Sequence, residues 1–173
     1  MKKVYITGVS GTGKSTIAKE FEKRGIFTIS IDEVEGLCCW RNKKTGVRVE
    51  YHFDGGKDWF ENYDWMCDSE KLKELINVEK DLVVVAGIAG NQNSYLSLFD
   101  KVFVLQCKPE IFIKRVIERD TNDAFGKTPS EQEFLLNLYQ NFEKDLLTKG
   151  AISINTENPI ETVTEEVISI ISK

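Results

Sequence analysis

Eight residues near the N-terminus, Gly8-Val9-Ser10-Gly11-Thr12-Gly13-Lys14-Ser15, constrain this chain more than any others. They match the spacing G-x-x-x-x-G-K-[ST]. Ahead of them Val4–Thr7 reads as a short buried strand, and behind them Lys14–Arg24 reads as a helix closed by Gly25. Glycines at these intervals let the backbone turn tightly and aim successive N–H groups at one point. The helix opening at Lys14 adds unpaired N–H groups and a positive dipole end. That combination suits a polyphosphate. Gly8, Gly11, Thr12, Gly13, Lys14, Ser15 and Thr16 are therefore the candidate nucleotide-binding residues. Lys14 would reach the β- and γ-phosphates, and the Ser15 hydroxyl would ligate Mg²⁺. ATP and Mg²⁺ are the expected nucleotide and ion.

Further along, short apolar runs alternate with longer amphipathic stretches, which predicts an α/β fold with a parallel sheet. Strands are predicted at Ile26–Ile31, Leu82–Ala86, Lys101–Gln106 and Ala151–Ile154. The continuous Leu-Val-Val-Val-Ala run of Leu82–Ala86 suits a strand buried on both faces. Helices are predicted from Pro109 to about Arg119, from a cap at Thr128 to Gly150, and over Pro159–Ile171. Thr128-Pro129-Ser130-Glu131 carries a cap, a first-turn proline and a capping-box glutamate. The chain is expected to form one domain over residues 1–173. Two stretches break the alternation: residues 38–69, predicted to be an irregular acceptor-side insertion, and residues 120–128, predicted to be a lid.

Charge narrows the partners. The net charge of −5 argues against a surface built to grip nucleic acid. No apolar run approaches the roughly 20 residues needed to span a bilayer, and Met1-Lys2-Lys3 leads straight into a strand without a signal-peptide pattern. Cys38, Cys39, Cys67 and Cys107 lack C-x-x-C spacing, and His52 is the one histidine, so reduced structural thiols and a cytoplasmic location are expected.

The phosphate loop, the Ser30-Ile31-Asp32 strand end, Arg115 and Arg119 before a lid, and a closing strand and helix together resemble the small P-loop kinases, among them shikimate kinase, gluconate kinase and the nucleoside-monophosphate kinases. The resemblance implies a three-layer P-loop NTPase fold: a five-stranded parallel sheet with helices on both faces and a short lid. Absences agree with it. A Walker-B strand of a motor or AAA-type ATPase ends in an acid, whereas Leu82–Ala86 runs into Gly87-Ile88-Ala89-Gly90. A guanine-reading N/T-K-x-D segment after a late strand is also missing.

Asp32 directly follows a strand-like run, so it should lie at the carboxyl edge of the sheet, where open α/β folds bind ligands. In the resembled kinases a matching aspartate orients the accepting hydroxyl or binds the metal through water. A plain helix cap is the alternative role. Arg115 and Arg119, four apart, are expected on one helical face beside the lid; lid arginines of the resembled kinases close over the triphosphate. Lys127 is a further lid candidate. Lys14, Asp32, Arg119 and Arg115 are the candidate catalytic residues, and Ser15 and Asp32 the candidate metal-site residues. Asn91, Gln92 and Asn93 could contact an acceptor or simply form a turn. Trp40, Arg41, His52, Asp54, Trp59 and Trp65 could line an acceptor site, or the tryptophans could anchor the insertion. Asn155–Asn158 would sit on the adenine side. These residues point to a kinase acting on a small hydroxylated metabolite. A nucleoside or nucleotide kinase, or a slow ATPase serving as an assembly or regulatory factor, are the alternatives.

Overall fold

Successive side chains of a strand point to opposite faces, and this alternation decides how the layers assemble. In β1 (Lys2–Thr7), Val4 and Ile6 face one way and Tyr5 the other, and all three are fully buried. The computed structural model describes residues 1–51, 56–119 and 125–173. Five strands, β1, β2 (Phe27–Ser30), β5 (Leu82–Ala86), β6 (Lys101–Gln106) and β7 (Ile152–Asn155), form one parallel sheet in the order β2-β5-β1-β6-β7. Register is continuous, with Val4 opposite Val84 and Ile6 opposite both Ala86 and Phe103.

Helices cover both faces, as the resemblance implied. On one face, Ile17, Ala18 and Phe21 of α1 (Lys14–Lys23) and Val163, Val167 and Ile171 of α6 (Ile160–Ser172) pack on Val4, Ile6, Val84 and Leu105. On the other, Leu72 of α3 (Ser69–Leu75), with Ile76, Tyr95 and Phe99, packs on Tyr5, Val83 and Val85. A third cluster joins Phe112 and Val116 of α4 (Pro109–Glu118) to Leu135 of α5 (Pro129–Thr148) and to Val9. The predicted capping box at Thr128 and Glu131 is present.

Residues 38–69 are not irregular. They hold an antiparallel hairpin of β3 (Cys38–Asn42) and β4 (Tyr63–Cys67), with the short helix α2 (Gly56–Asn62) between them. The strands escape the alternation test because both faces are half-buried and both carry aromatic or sulfur-bearing residues. What holds them is cross-strand pairing, Trp40 opposite Trp65 above all. Helix α3, absent from the sequence expectation, is capped by Asp68, whose side chain accepts from the N–H groups of Glu70 and Lys71. His52, Asp54 and residues 120–124 of the expected lid lie outside the described residues.

Candidate active site

A parallel sheet delivers all its carboxyl ends to one edge. Here that edge gathers the loop after β1, Asp32 after β2, the Gly87–Gly90 turn after β5, Cys107 after β6 and Thr156 after β7.

The phosphate loop is a built cradle. Thr12 is buried and clamps the turn through its N–H (3.3 Å) and hydroxyl (2.8 Å) to the Val9 carbonyl. Gly11, at φ 85°, has no room for a side chain: a Cβ there would lie 2.3 Å from the Phe112 carbonyl oxygen. Gly13, at φ 103°, faces open space, so its requirement is conformational. Gly8 is crowded by the Leu105 carbonyl and the Thr12 hydroxyl. Helix α1 then begins with no side-chain cap and no acid in its first turn. Its leading N–H groups and dipole end are thus left to an external anion, and a polyphosphate fits that donor set. The buried Lys14 ammonium donates to the Gly8 and Val9 carbonyls, at 2.8 and 3.0 Å, which holds it over the loop. Ser15 and Thr16 are exposed at the helix start. Among the described residues no cluster of three or more His, Cys, Asp or Glu side chains could hold a metal alone. Mg²⁺ suits such a place, since it is usually held by one or two protein oxygens with phosphates and waters.

Asp32 is exposed at the end of β2, and the indole N–H of Trp65 donates to its Oδ1 at 3.0 Å. The cap role is corrected: a series of turns follows Asp32, not a helix. The hydrogen bond ties the acid to the hairpin instead.

Arg115 and Arg119 stand one turn apart at the end of α4, with the Arg119 N–H donating to the Arg115 carbonyl at 3.2 Å. Helix α4 ends at Glu118, and Arg119 is the extended residue after it (φ −68°, ψ 135°). Arg115 donates to the Thr156 carbonyl at 2.9 Å and approaches the Gly11 carbonyl at 3.5 Å, bridging the loop after β7 to the phosphate loop. Arg119 donates to the Phe125 carbonyl, and Lys127 to the Arg119 carbonyl at 3.0 Å. These two belong to the root of the expected lid. That root lies against the phosphate loop with one side chain between them: Val116 abuts Gly11 through one methyl and Gly126 through the other.

The Gly87–Asn93 segment is structural in two of its three polar side chains. Asn91 exchanges two hydrogen bonds with the Cys67 backbone, at 2.9 and 2.7 Å. Buried Gln92 accepts from Thr7 and Tyr5 within the core. Only Asn93 is on the surface, 3.4 Å from Asp145. Asp64, which sequence patterning does not single out, sits against Gly90, where a Cβ would collide with its carboxylate. Burial pushes the Asp64 carboxyl up, against a smaller downward pull from Lys43. Its signal was non-local, since only the hairpin brings it to this edge.

All three tryptophans join one aromatic cluster. Trp40 stacks on Tyr51 at 5.2 Å and meets Trp59 and Trp65 at 5.9 Å, while Phe60 stacks on Phe134 of α5 at 4.1 Å. A cavity of about 500 Å³ opens beside the cluster, lined by Trp40, Tyr51, Trp65, Arg48 and Glu50 among others. The cation here is Arg48. Arg41, the residue expected from sequence, turns away to the Gly46 carbonyl at 3.1 Å.

A protein-family model described as an AAA domain matches residues 4–136. The chain belongs to that family. This member has no acid at the end of β5, which closes on Ala86, so the strand end that carries a carboxylate in AAA-type ATPases is apolar here. Similar proteins include kinases. The chain is 26% identical to dephospho-CoA kinase of Hydrogenovibrio crunogenus, over 98% of this chain and 96% of that one. It is 27% identical to shikimate kinase of Bacillus cytotoxicus, over 97% of each. In fold it is similar to deoxyadenosine kinase from M. mycoides with bound dATP, with a TM-score of 0.63, 17% identity and full coverage of both chains. The family member's fold is that of the P-loop kinases.

Proposed function

We propose that this protein transfers the terminal phosphoryl group of ATP to a hydroxyl of a small metabolite. The observation that carries the reading is the uncapped, acid-free start of α1 behind a glycine cradle, with the Asp32 carboxylate after β2 at the same edge of the sheet, one strand removed from β1. Cradle N–H groups and Lys14 bind the phosphates, and Lys14 follows charge as it moves onto the β–γ bridge. The Ser15 hydroxyl and, through water, Asp32 would hold Mg²⁺, which would supply further neutralisation of phosphate charge. Asp32, oriented by Trp65, aligns the acceptor hydroxyl and takes its proton. Arg115 holds the loops around the nucleotide, and Arg119 and Lys127 stand at the lid root.

The kinases among its relatives support the reaction class, and their different acceptors leave the acceptor open. A hydroxylated metabolite with an anionic group suits Arg48. A nucleoside is the second reading, favoured by the aromatic faces of Trp40, Tyr51 and Trp65 around the same cavity.

The test is a screen for ADP release over hydroxy acids, polyols, coenzyme precursors, nucleosides and nucleotides. One acceptor should raise ADP release far above the acceptor-free rate. With it, Asp32→Asn should lower turnover by roughly 10²–10⁴-fold while ATP still binds. Hydrolysis indifferent to every acceptor, but abolished in Lys14→Ala, would support a slow regulatory ATPase instead.

A further inference from the structure

The hairpin carries a pair of thiols that nothing in the proposed reaction uses. Cys38 and Cys67 are direct cross-strand partners. The pairs on either side fix their type. Asp68 donates its N–H to the Leu37 carbonyl, and the next hydrogen-bonded rungs follow at alternate positions down to Lys43, which donates to the Asn62 carbonyl. Cys38 and Cys67 therefore form a non-hydrogen-bonded pair. The backbone of Cys67 confirms it, because its N–H and carbonyl point away from β3 to the Asn91 side chain. In such pairs the Cα atoms stand about 4.5 Å apart with side chains close, within the span that a disulfide bridges. Cys39 faces Met66, and Cys107 lies at the end of β6, so neither has a comparable partner.

The geometry points to Cys38 and Cys67 as a reversible disulfide site, closed by a peroxide, at the base of the hairpin that orients Asp32. The chemistry balances within the pair. The Cys67 thiolate attacks one peroxide oxygen, the O–O bond breaks, and water leaves after protonation. The sulfur of Cys38 then attacks the resulting sulfenic sulfur, the S–O bond breaks, and a second water leaves with the remaining proton. Two thiols lose two electrons in all, and one hydrogen peroxide becomes two waters. Contact between the two sulfurs holds the Cys67 thiol below its usual pKa and, with burial, raises that of Cys38. The bond would lock the strand positions next to Asn91 and two residues from Trp65, fixing the support of Asp32. A transient, thiol-reversible bond of this sort is compatible with a reducing compartment.

The purified protein is treated with hydrogen peroxide, alkylated, and digested with trypsin. The expected product is peptide 25–41 joined to peptide 58–71, with a mass loss of two hydrogens reversed by dithiothreitol. Thermal unfolding of the oxidised form should shift upward by several degrees, since the cross-link restricts the unfolded chain. The joined peptide should persist in Cys39→Ser and vanish in Cys38→Ser. A joined peptide that survives Cys38→Ser, a bond within 25–41 alone, or sulfinic acid at Cys67 without a cross-link would each overturn the assignment.

Discussion

Glu143 on α5 offers a quantitative check on how the sheet edge beside the nucleotide loop is built. Its side chain points inward, with the residue 5% exposed. The Gln106 amide donates to Oε2 at 2.5 Å, and Oε1 has no hydrogen-bond partner. Burial raises its pKa from an ordinary 4.5 to about 7. The folded protein therefore binds this proton more tightly than the unfolded chain does. The stability tied to it is complete below about 4.5 and is lost as pH rises through about 7. At about 1.4 kcal/mol per pH unit, the full loss is on the order of 3 kcal/mol. Glu143→Gln keeps the shape and cannot ionise. At pH 5 the variant should lie within about 1 kcal/mol of the wild type, the scale of one rearranged hydrogen bond. At pH 8 it should be more stable by roughly 2 kcal/mol, a rise in Tm of several degrees for a chain of this size. Thermal unfolding followed by circular dichroism at pH 5, 6, 7 and 8 reads both limits. Parallel Tm–pH curves for the two proteins would refute the reasoning.

Two other predictions address the loop itself. Arg115→Met retains the packed stem but removes the donor to Thr156 and Gly11; it should cost about 1–2 kcal/mol in urea unfolding and weaken ATP binding about tenfold by calorimetry. Gly11→Ala meets a backbone carbonyl at 2.3 Å and Gly13→Ala meets nothing; Gly13→Ala should cost only the left-handed strain of about 1–2 kcal/mol, and Gly11→Ala clearly more, with equal losses contradicting the crowding described here.

The nucleotide half of the site is legible in the sequence because it is made by backbone. A phosphate cradle needs glycines at set intervals between a strand and a helix, and all three features lie within residues 2–23. The same locality made the parallel strands readable: β5 and β6 coincide with their predicted bounds, since each is built on an unbroken apolar run, Leu82–Ala86 in β5 and Val102–Leu105 in β6. The hairpin beside it is made differently. Trp65 reaches Asp32 across 33 residues, and Tyr51 reaches Glu131 across 80, so no spacing rule connects them. Arg115 and Arg119 keep their one-turn spacing at the end of α4, but their side-chain partners, the Thr156 and Phe125 carbonyls, lie on other segments that no spacing predicts. Glu143 falls on the buried side of α5, where its partner, Gln106, lies on a different element.

One consequence follows from how the hairpin meets the lid root. Trp40 packs on Phe125 at 6.3 Å and Phe60 on Phe125 at 5.9 Å, while the Tyr51 hydroxyl donates to Glu131. The same Glu131 carboxylate accepts from the N–H groups of Gly126 and Thr128, at 3.1 and 2.9 Å, and so sets the start of α5. Val116 then carries contact from Gly126 to Gly11 in the phosphate loop. The wall of the 500 Å³ cavity, the lid root and the phosphate loop thus form one chain of close contacts. Close-packed interiors accept displacement in discrete rearrangements rather than by gradual give. A ligand that moves Trp40 or Tyr51 must shift Phe125 or break the Tyr51–Glu131 bond, and either change reaches the backbone that holds Arg119 and Lys127. The cavity wall and the phosphate loop are therefore joined by one continuous path of packed residues through Phe125, Glu131, Gly126 and Val116.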